Sequence, residues 1–146
     1  MFRGRSVHSL DSKGRIRIPS RFRDILRDRF YDRLIITNLA RCLIAFPLSE
    51  WEKIEERVGE LSLVRQDVKA FQRFFISGAI DCNFDKQGRI LIPQTLREHA
   101  QLEREVMLAG MIKSFEIWSK PLWDEEIKRY HENFDQITAT LADLGF

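Results

Sequence analysis

Apolar residues alternate with polar ones in short runs, then recur every three to four residues, and this succession occurs twice. Ile80, Cys82 and Phe84 alternate with Ala79, Asp81 and Asn83, the period of a half-buried strand. Residues 85–88, Asp-Lys-Gln-Gly, read as a tight turn: Asp bonds the backbone ahead of it and Gly supplies a positive φ. Residues 89–92 form a return strand, stopped by Pro93, which has no N–H for a ladder. The same grammar occurs earlier, with a strand over 7–10, a turn over 11–14 and a return strand over 15–18 before Pro19. Each proline opens a helix. Phe22, Ile25, Leu26 and Phe30 share one face of the first, and Leu96 and Ala100 mark its shorter twin. Two strand pairs follow, 34–37 with 42–46 and 106–109 with 115–118, so each unit reads as β-hairpin, short helix, β-hairpin.

The repetition extends to residue identity. Residues 11–23 read DSKGRIRIPSRFR and residues 85–97 read DKQGRILIPQTLR, with 7 of 13 positions identical at an offset of 74. The block from Leu34 through Phe46 to Trp51 aligns with Val106 through Trp118 to Trp123 at an offset of 72. A unit of this size is too small to bury a comfortable core alone, so two copies packed together are the economical solution.

Helical periodicity follows each unit. Ser49 and Glu52 have capping-box spacing. Leu61, Val64, Val68, Phe71 and Phe75 step by three and four residues. Trp123, Ile127, Tyr130, Phe134, Ile137, Leu141 and Leu144 do the same, with Ser119 as cap and Pro121 in the first turn. These two stripes are expected to pack on each other, on the core or on a neighbouring subunit. The expected organisation is mainly β with flanking helices (α+β): unit 1 over 5–51, a connecting helical segment over 52–78, unit 2 over 79–122 and a C-terminal helix over 123–146.

Composition narrows the class. With 44% hydrophobic and 32% charged residues and sixteen aromatics, the 146-residue chain is globular. No apolar run approaches the roughly 18 residues of a membrane helix, and Met1 to Arg5 leads into no apolar signal region. Cys42 and Cys82 form no CxxC pair and read as reduced core thiols, which points to the cytoplasm. No nucleotide-binding loop, GxSxG or metal-ligand spacing of His8, His99 and His131 is present, so neither an enzyme nor a cofactor is expected. His8 either covers the sheet or reaches a phosphate. Asp11 and Asp85, three residues before a turn glycine, read as turn chemistry rather than paired catalytic carboxylates.

The net charge of +2 conceals an uneven distribution: residues 1–29 carry +6 and the rest −4. Such asymmetry suits one face that meets a polyanion. Arg15 and Arg17 alternate with Ile16 and Ile18, so the arginines share the outer face of a strand. Lys13 lies in the turn before them, and Arg3 and Arg5 precede the opposite strand. The expectation is one cationic β-ribbon of a kind that can enter the DNA major groove. The second copy keeps Lys86 and Arg89 but has Leu91 for Arg17 and Gln87 for Lys13, so the first copy is expected to supply most of the affinity.

The opening MFRG, the DSKGRIRIPSRFR and DKQGRILIP motifs and the central FPLSEW resemble the MraZ family of bacterial transcriptional regulators, over essentially the whole chain. Each half of that family is similar to the SpoVT/AbrB transition-state-regulator module. The resemblance implies two units interlocked in a pseudo-two-fold, swapped-hairpin β-barrel. It also implies a ring-shaped homo-oligomer, a nucleoid location, and repression at short direct repeats upstream of the division and cell-wall gene cluster. The family's DNA-contacting hairpin falls on Lys13 and Arg15, and by extension on Arg3, Arg5, Arg17, Lys86 and Arg89. The implied partners are double-stranded DNA and further copies of the chain, with no membrane and no small-molecule substrate. The alternative is a protein-interaction module of the AbrB-like antitoxin type, favoured by the C-terminal apolar stripe.

Overall fold

A computed structural model describes residues 1–30, 33–61 and 63–146. The side chain of Phe30, expected on the apolar face of the first helix, lies outside the described residues. The first half contains β1 (Arg5–Ser9), β2 (Arg15–Arg17), α1 (Ser20–Phe30), β3 (Leu34–Leu39), β4 (Cys42–Pro47), α2 (Leu48–Gly59) and α3 (Gln66–Phe71), then a π-helical turn over Gln72–Ile76. The second contains β5 (Ile80–Cys82), β6 (Arg89–Leu91), α4 (Gln94–His99), β7 (Glu105–Gly110), β8 (Phe115–Ser119), α5 (Lys120–Glu132) and α6 (Phe134–Asp143). The architecture is mainly β with flanking helices, built from two tandem units, as the repeat predicts.

The pairing of those units corrects one local expectation. Neither turn folds its two strands back on each other as a self-contained hairpin. β1 pairs antiparallel with β7 of the other copy, and β5 pairs antiparallel with β3. Among the described residues the return strands β2 and β6 pair only with each other, placing Arg15 opposite Leu91, Ile16 opposite Ile90 and Arg17 opposite Arg89. Both exchanges are reciprocal, so a pseudo-two-fold axis runs between Ile16 and Ile90. The larger sheet has the order β1-β7-β8-β4-β3-β5, with β1 and β5 at its edges.

The physical reason for the exchange lies in burial. Ile16, Ile18, Ile90 and Ile92 are 0–1% exposed and share one core with Phe2, Phe22, Leu26, Leu96 and Phe115. A half-sized unit has too little apolar surface to enclose its own pair of isoleucines. Crossing the strands seals all four between the six-stranded sheet and helices α1 and α4. The rings of Phe2, Phe22 and Phe115 meet at 5.1–5.5 Å between centroids in the middle of that core. On the sheet's other face, Ile35 and Phe46 pack under Trp51 of α2, and Met107 and Trp118 pack under Leu122 and Trp123 of α5. Cys42 and Cys82 are buried free thiols, and burial pushes the Cys82 thiol up to about 12.

The helical layer departs from the sequence pattern in two places. Ser49 does not cap α2: the helix starts at Leu48 behind Pro47, whose φ of −57° fits a helix entry, and no side chain caps it. The 61–75 stripe is not one helix. It is split between the residues after α2, α3 and the π-helical turn, and of its members only Phe75 is buried. Thr37 Oγ1 donates to the Phe75 carbonyl at 2.6 Å and Asn38 Nδ2 to the Phe74 carbonyl at 3.1 Å, pinning that turn to β3. The C-terminal stripe divides into α5 and α6 at Asn133, whose Nδ2 turns back to the Arg129 carbonyl. Ser119 does cap α5, accepting from the Leu122 N–H, with Pro121 in the first turn. Tyr130, Phe134, Leu141 and Leu144 remain exposed, as do Leu61 and Phe71, so the two stripes do not bury each other within one chain.

Candidate nucleic-acid interface

The site is built on the two turns. Asp11 Oδ1 accepts the backbone N–H of Lys13 at 3.0 Å and of Arg15 at 2.8 Å, while Oδ2 accepts Arg15 Nε at 2.8 Å. Asp85 repeats the arrangement with the N–H groups of Gln87 and Arg89 at 2.8 and 2.9 Å and with Arg89 Nε at 2.8 Å. Gly14 and Gly88, at φ +89° and +75°, complete each turn, as the Asp-to-Gly spacing predicts. The donated hydrogen bonds hold both aspartates below the ordinary carboxylate range, the Arg15 and Arg89 backbone N–H groups contributing most. The carboxylates are thus structural anchors that fix the guanidinium four residues on.

Arg89 Nη1 also lies 3.8 Å from Asp11 Oδ2. Asp85, Arg89, Asp11 and Arg15 therefore form a chain of alternating charge across the pseudo-two-fold axis, neutral as a whole. This revises the picture of an uncompensated cationic ribbon. Arg15 and Arg89 are partly buried, their side chains 34% and 25% exposed, and each spends its Nε–H on a turn carboxylate. A guanidinium has five N–H groups in a rigid fork, so anchoring through Nε restricts its orientation without consuming its donors.

The outward face of the β2–β6 ladder carries Arg15 and Arg17 from the first copy and Arg89 and Leu91 from the second. The inward face carries Ile16 and Ile90. The alternation expected for the first copy is present, and the strand exchange adds the second copy's residues to the same face. Lys13 and Lys86 are exposed in their respective turns. Arg3 and Arg5 are not brought to this ladder. β1 lies against β7, with Arg5 opposite Ala109, at the end of the strand remote from the turn. Six extended residues, roughly 20 Å, separate Arg5 from Asp11. The Arg5 guanidinium instead lies 5.8 Å from the ring centroid of Trp123. His8 is half-buried on β1 with Nε2 2.8 Å from Ser6 Oγ, and burial, aided by the nearby Arg21 charge, lowers its pKa.

The exchange also brings in residues that sequence reasoning passed over. Arg23 Nε donates to the Ile18 carbonyl at 3.0 Å, and Arg97 Nε to the Ile92 carbonyl at 2.9 Å. Each guanidinium lies directly over the turn glycine of the opposite copy, Arg23 over Gly88 and Arg97 over Gly14. The closing arginine of the repeated motif is therefore a clasp between copies, and its recurrence in both motifs was the available signal. Arg23 and Arg27 line a recess with Asp85 and Lys86, placing helix α1 of the basic first copy beside the second turn. Beside the first turn, α4 and the residues after it contribute Arg97, Glu98 and Glu103.

Comparison with known proteins agrees with this duplicated plan. The family model described as "MraZ protein, putative antitoxin-like" matches twice, over residues 1–74 and 75–145. The chain is similar to the transcriptional regulator MraZ of Syntrophobacter fumaroxidans, at 49% identity over 99% of this chain and 96% of the relative. It is 47% identical to that of Pediococcus pentosaceus and 46% identical to that of Oenococcus oeni, over 99% of each chain in both cases. A family match to each half, together with relatives that align end to end, shows that this chain belongs to the MraZ family.

Proposed function

We propose that the protein is a sequence-specific DNA-binding transcriptional repressor that uses no cofactor and catalyses no reaction. One observation carries the reading: the outward face of the β2–β6 ladder gathers Arg15, Arg17 and Arg89 from both copies, with Arg15 and Arg89 held in place by turn aspartates. Preset guanidinium groups on a two-stranded ribbon suit bidentate contacts to guanine edges and phosphates in a major groove. Lys13 and Lys86 flank that face, and Arg3 and Arg5 extend positive charge along a separate edge. The relatives' shared name, transcriptional regulator, supports the same class.

The target is a set of direct repeats upstream of its own gene, within the division and cell-wall cluster, read by a ring of subunits in the cytoplasm. One ladder offers few contacts. A cyclic head-to-tail array on tandem repeats gains affinity through effective concentration. Exposed Tyr130, Phe134, Leu141 and Leu144 supply apolar surface for contacts between subunits. Among the described residues no helix is long and apolar enough to cross a membrane.

Gel shifts with DNA from upstream of the gene test this reading. Arg15→Ala abolishes specific binding while circular dichroism stays unchanged; retained binding removes Arg15 from the interface. The same exposed apolar surface favours a second reading, an antitoxin-type module that holds a protein partner. Mass photometry separates the two, since a self-assembled ring belongs to the first and a stable hetero-complex to the second.

A further inference from the structure

The pseudo-two-fold axis between Ile16 and Ile90 has a consequence for the direction in which DNA is read. It exchanges Arg15 with Arg89, and both are arginines anchored on an aspartate. It exchanges Arg17 with Leu91, and these differ in kind. Duplex DNA has its own two-fold axes normal to the helix, so a perfectly symmetric ladder would dock equally well in either direction. Direct repeats require that the two directions be told apart.

Resting on the DNA-binding reading, we propose that Arg17 and Leu91 form an orientation key that fixes which way each subunit lies along the duplex. Leu91 is 55% exposed on a strand whose next residue inward, Ile90, is buried, so nothing in the core accounts for an apolar side chain there. One end of the ladder presents Arg17 beside Arg89, two guanidinium groups suited to guanine O6 and N7. The other presents Arg15 beside Leu91, one guanidinium and an apolar surface suited to a thymine methyl. The two ends are two residues apart along each strand, about 6.7 Å, which matches roughly two base-pair steps. The DNA unit read by one subunit is therefore non-palindromic, guanine-rich at the Arg17 end and with an A·T pair at the Leu91 end.

Selection from a library of randomised duplexes tests the key with the full-length protein. The wild type enriches a unit that differs from its own reverse complement, and inverting that unit between its neighbours weakens binding about tenfold, within the range of one bidentate base contact. Leu91→Arg, at an exposed position, enriches a unit close to its own reverse complement and loses the penalty for inversion. Combining Leu91→Arg with Arg17→Leu restores an asymmetric unit at unchanged net charge, so a general charge effect would not imitate the result. Equal asymmetry in the wild type and Leu91→Arg overturns the key and leaves DNA binding standing. No enrichment by the wild type overturns both.

Discussion

The first turn, DSKG, and the second, DKQG, share a backbone, an aspartate anchor and a clasping arginine, yet they stand in different company. Judged by its own residues, the second copy is the weaker in charge by one, with Leu91 for Arg17 on the return strand, since Lys86 makes up within the turn for Gln87 in place of Lys13. The strand exchange changes the company of each turn: Arg23 and Arg27 of helix α1 lie beside the second, Arg27 in ion pairs with Asp24 and Asp28, whereas Arg97, Glu98 and Glu103 lie beside the first. A count of charges along a segment therefore does not give the charge of the surface on which that segment ends up. What the crossing leaves unequal is the ladder itself, Arg17 against Leu91.

The largest expected effect addresses what the turns share. A Cβ on Gly14 would stand 2.7 Å from Arg97 Nε and 2.9 Å from the Ile92 carbonyl oxygen, and one on Gly88 would stand 2.7 Å from Arg23 Cζ, each at a positive φ. Gly14→Ala and Gly88→Ala each lower unfolding free energy by about 1–3 kcal/mol in denaturant titrations. Gly59→Ala at the end of α2, where none of the described residues would lie within 4 Å of the added Cβ, is neutral or raises it by up to about 1 kcal/mol. A large loss at one turn and none at the other would break the equivalence of the copies.

A smaller effect follows from the aspartates. Their carboxyl pKa is lowered in the fold, so the stabilisation they give is complete above the unfolded value of about 3.9 and is lost as pH falls through the lower folded values. The melting temperature of the wild type exceeds that of Asp11→Asn/Asp85→Asn at pH 6, and the gap closes on acidification below about pH 4. A gap that stays constant into acid would show that the anchors do not act through charge. Of the single variants, Asp11→Asn is the more damaging, because Asp11 also lies within ion-pair distance of Arg89.

The smallest effect concerns what the crossing leaves unequal. Arg17→Ala relaxes the guanine preference at its end of the unit and, by removing one cation from the interface, lowers the slope of log K against log salt by up to about 1. Leu91→Ala leaves the slope unchanged and alters only base preference. Equal slope changes at the two positions would erase the distinction between them.

Much of this was legible from the chain. The duplicated motif, the inward isoleucines, the Asp-to-Gly turns, the cap at Ser119 and the four longer strands β3, β4, β7 and β8 follow from local periodicity and turn chemistry, and they stand where those rules put them. Partner choice did not follow from local rules, because β2 and β6 are three residues long and each motif suits either copy equally well; the exchange was implied by the family resemblance alone. Only the burial of four isoleucines in one core selects the crossed arrangement, and that is a property of the whole chain. For the same reason Arg3 and Arg5 looked like part of the ribbon, whereas they follow β1 to β7. The role of Arg23 was invisible because the glycine it covers lies 65 positions away, in the other copy. The break in the C-terminal stripe at Asn133 was hidden by apolar spacing that continues through it.

Under the proposed function the DNA-facing surface is composite, made by both copies through the β2–β6 ladder. Its most direct test is the affinity of Arg89→Ala, beside Arg15→Ala, for a duplex from upstream of the gene, with folding checked by circular dichroism. Both variants, folded, are expected to lose specific binding to a comparable degree. Wild-type affinity in Arg89→Ala alongside lost binding in Arg15→Ala would contradict that and return the interface to the first turn alone.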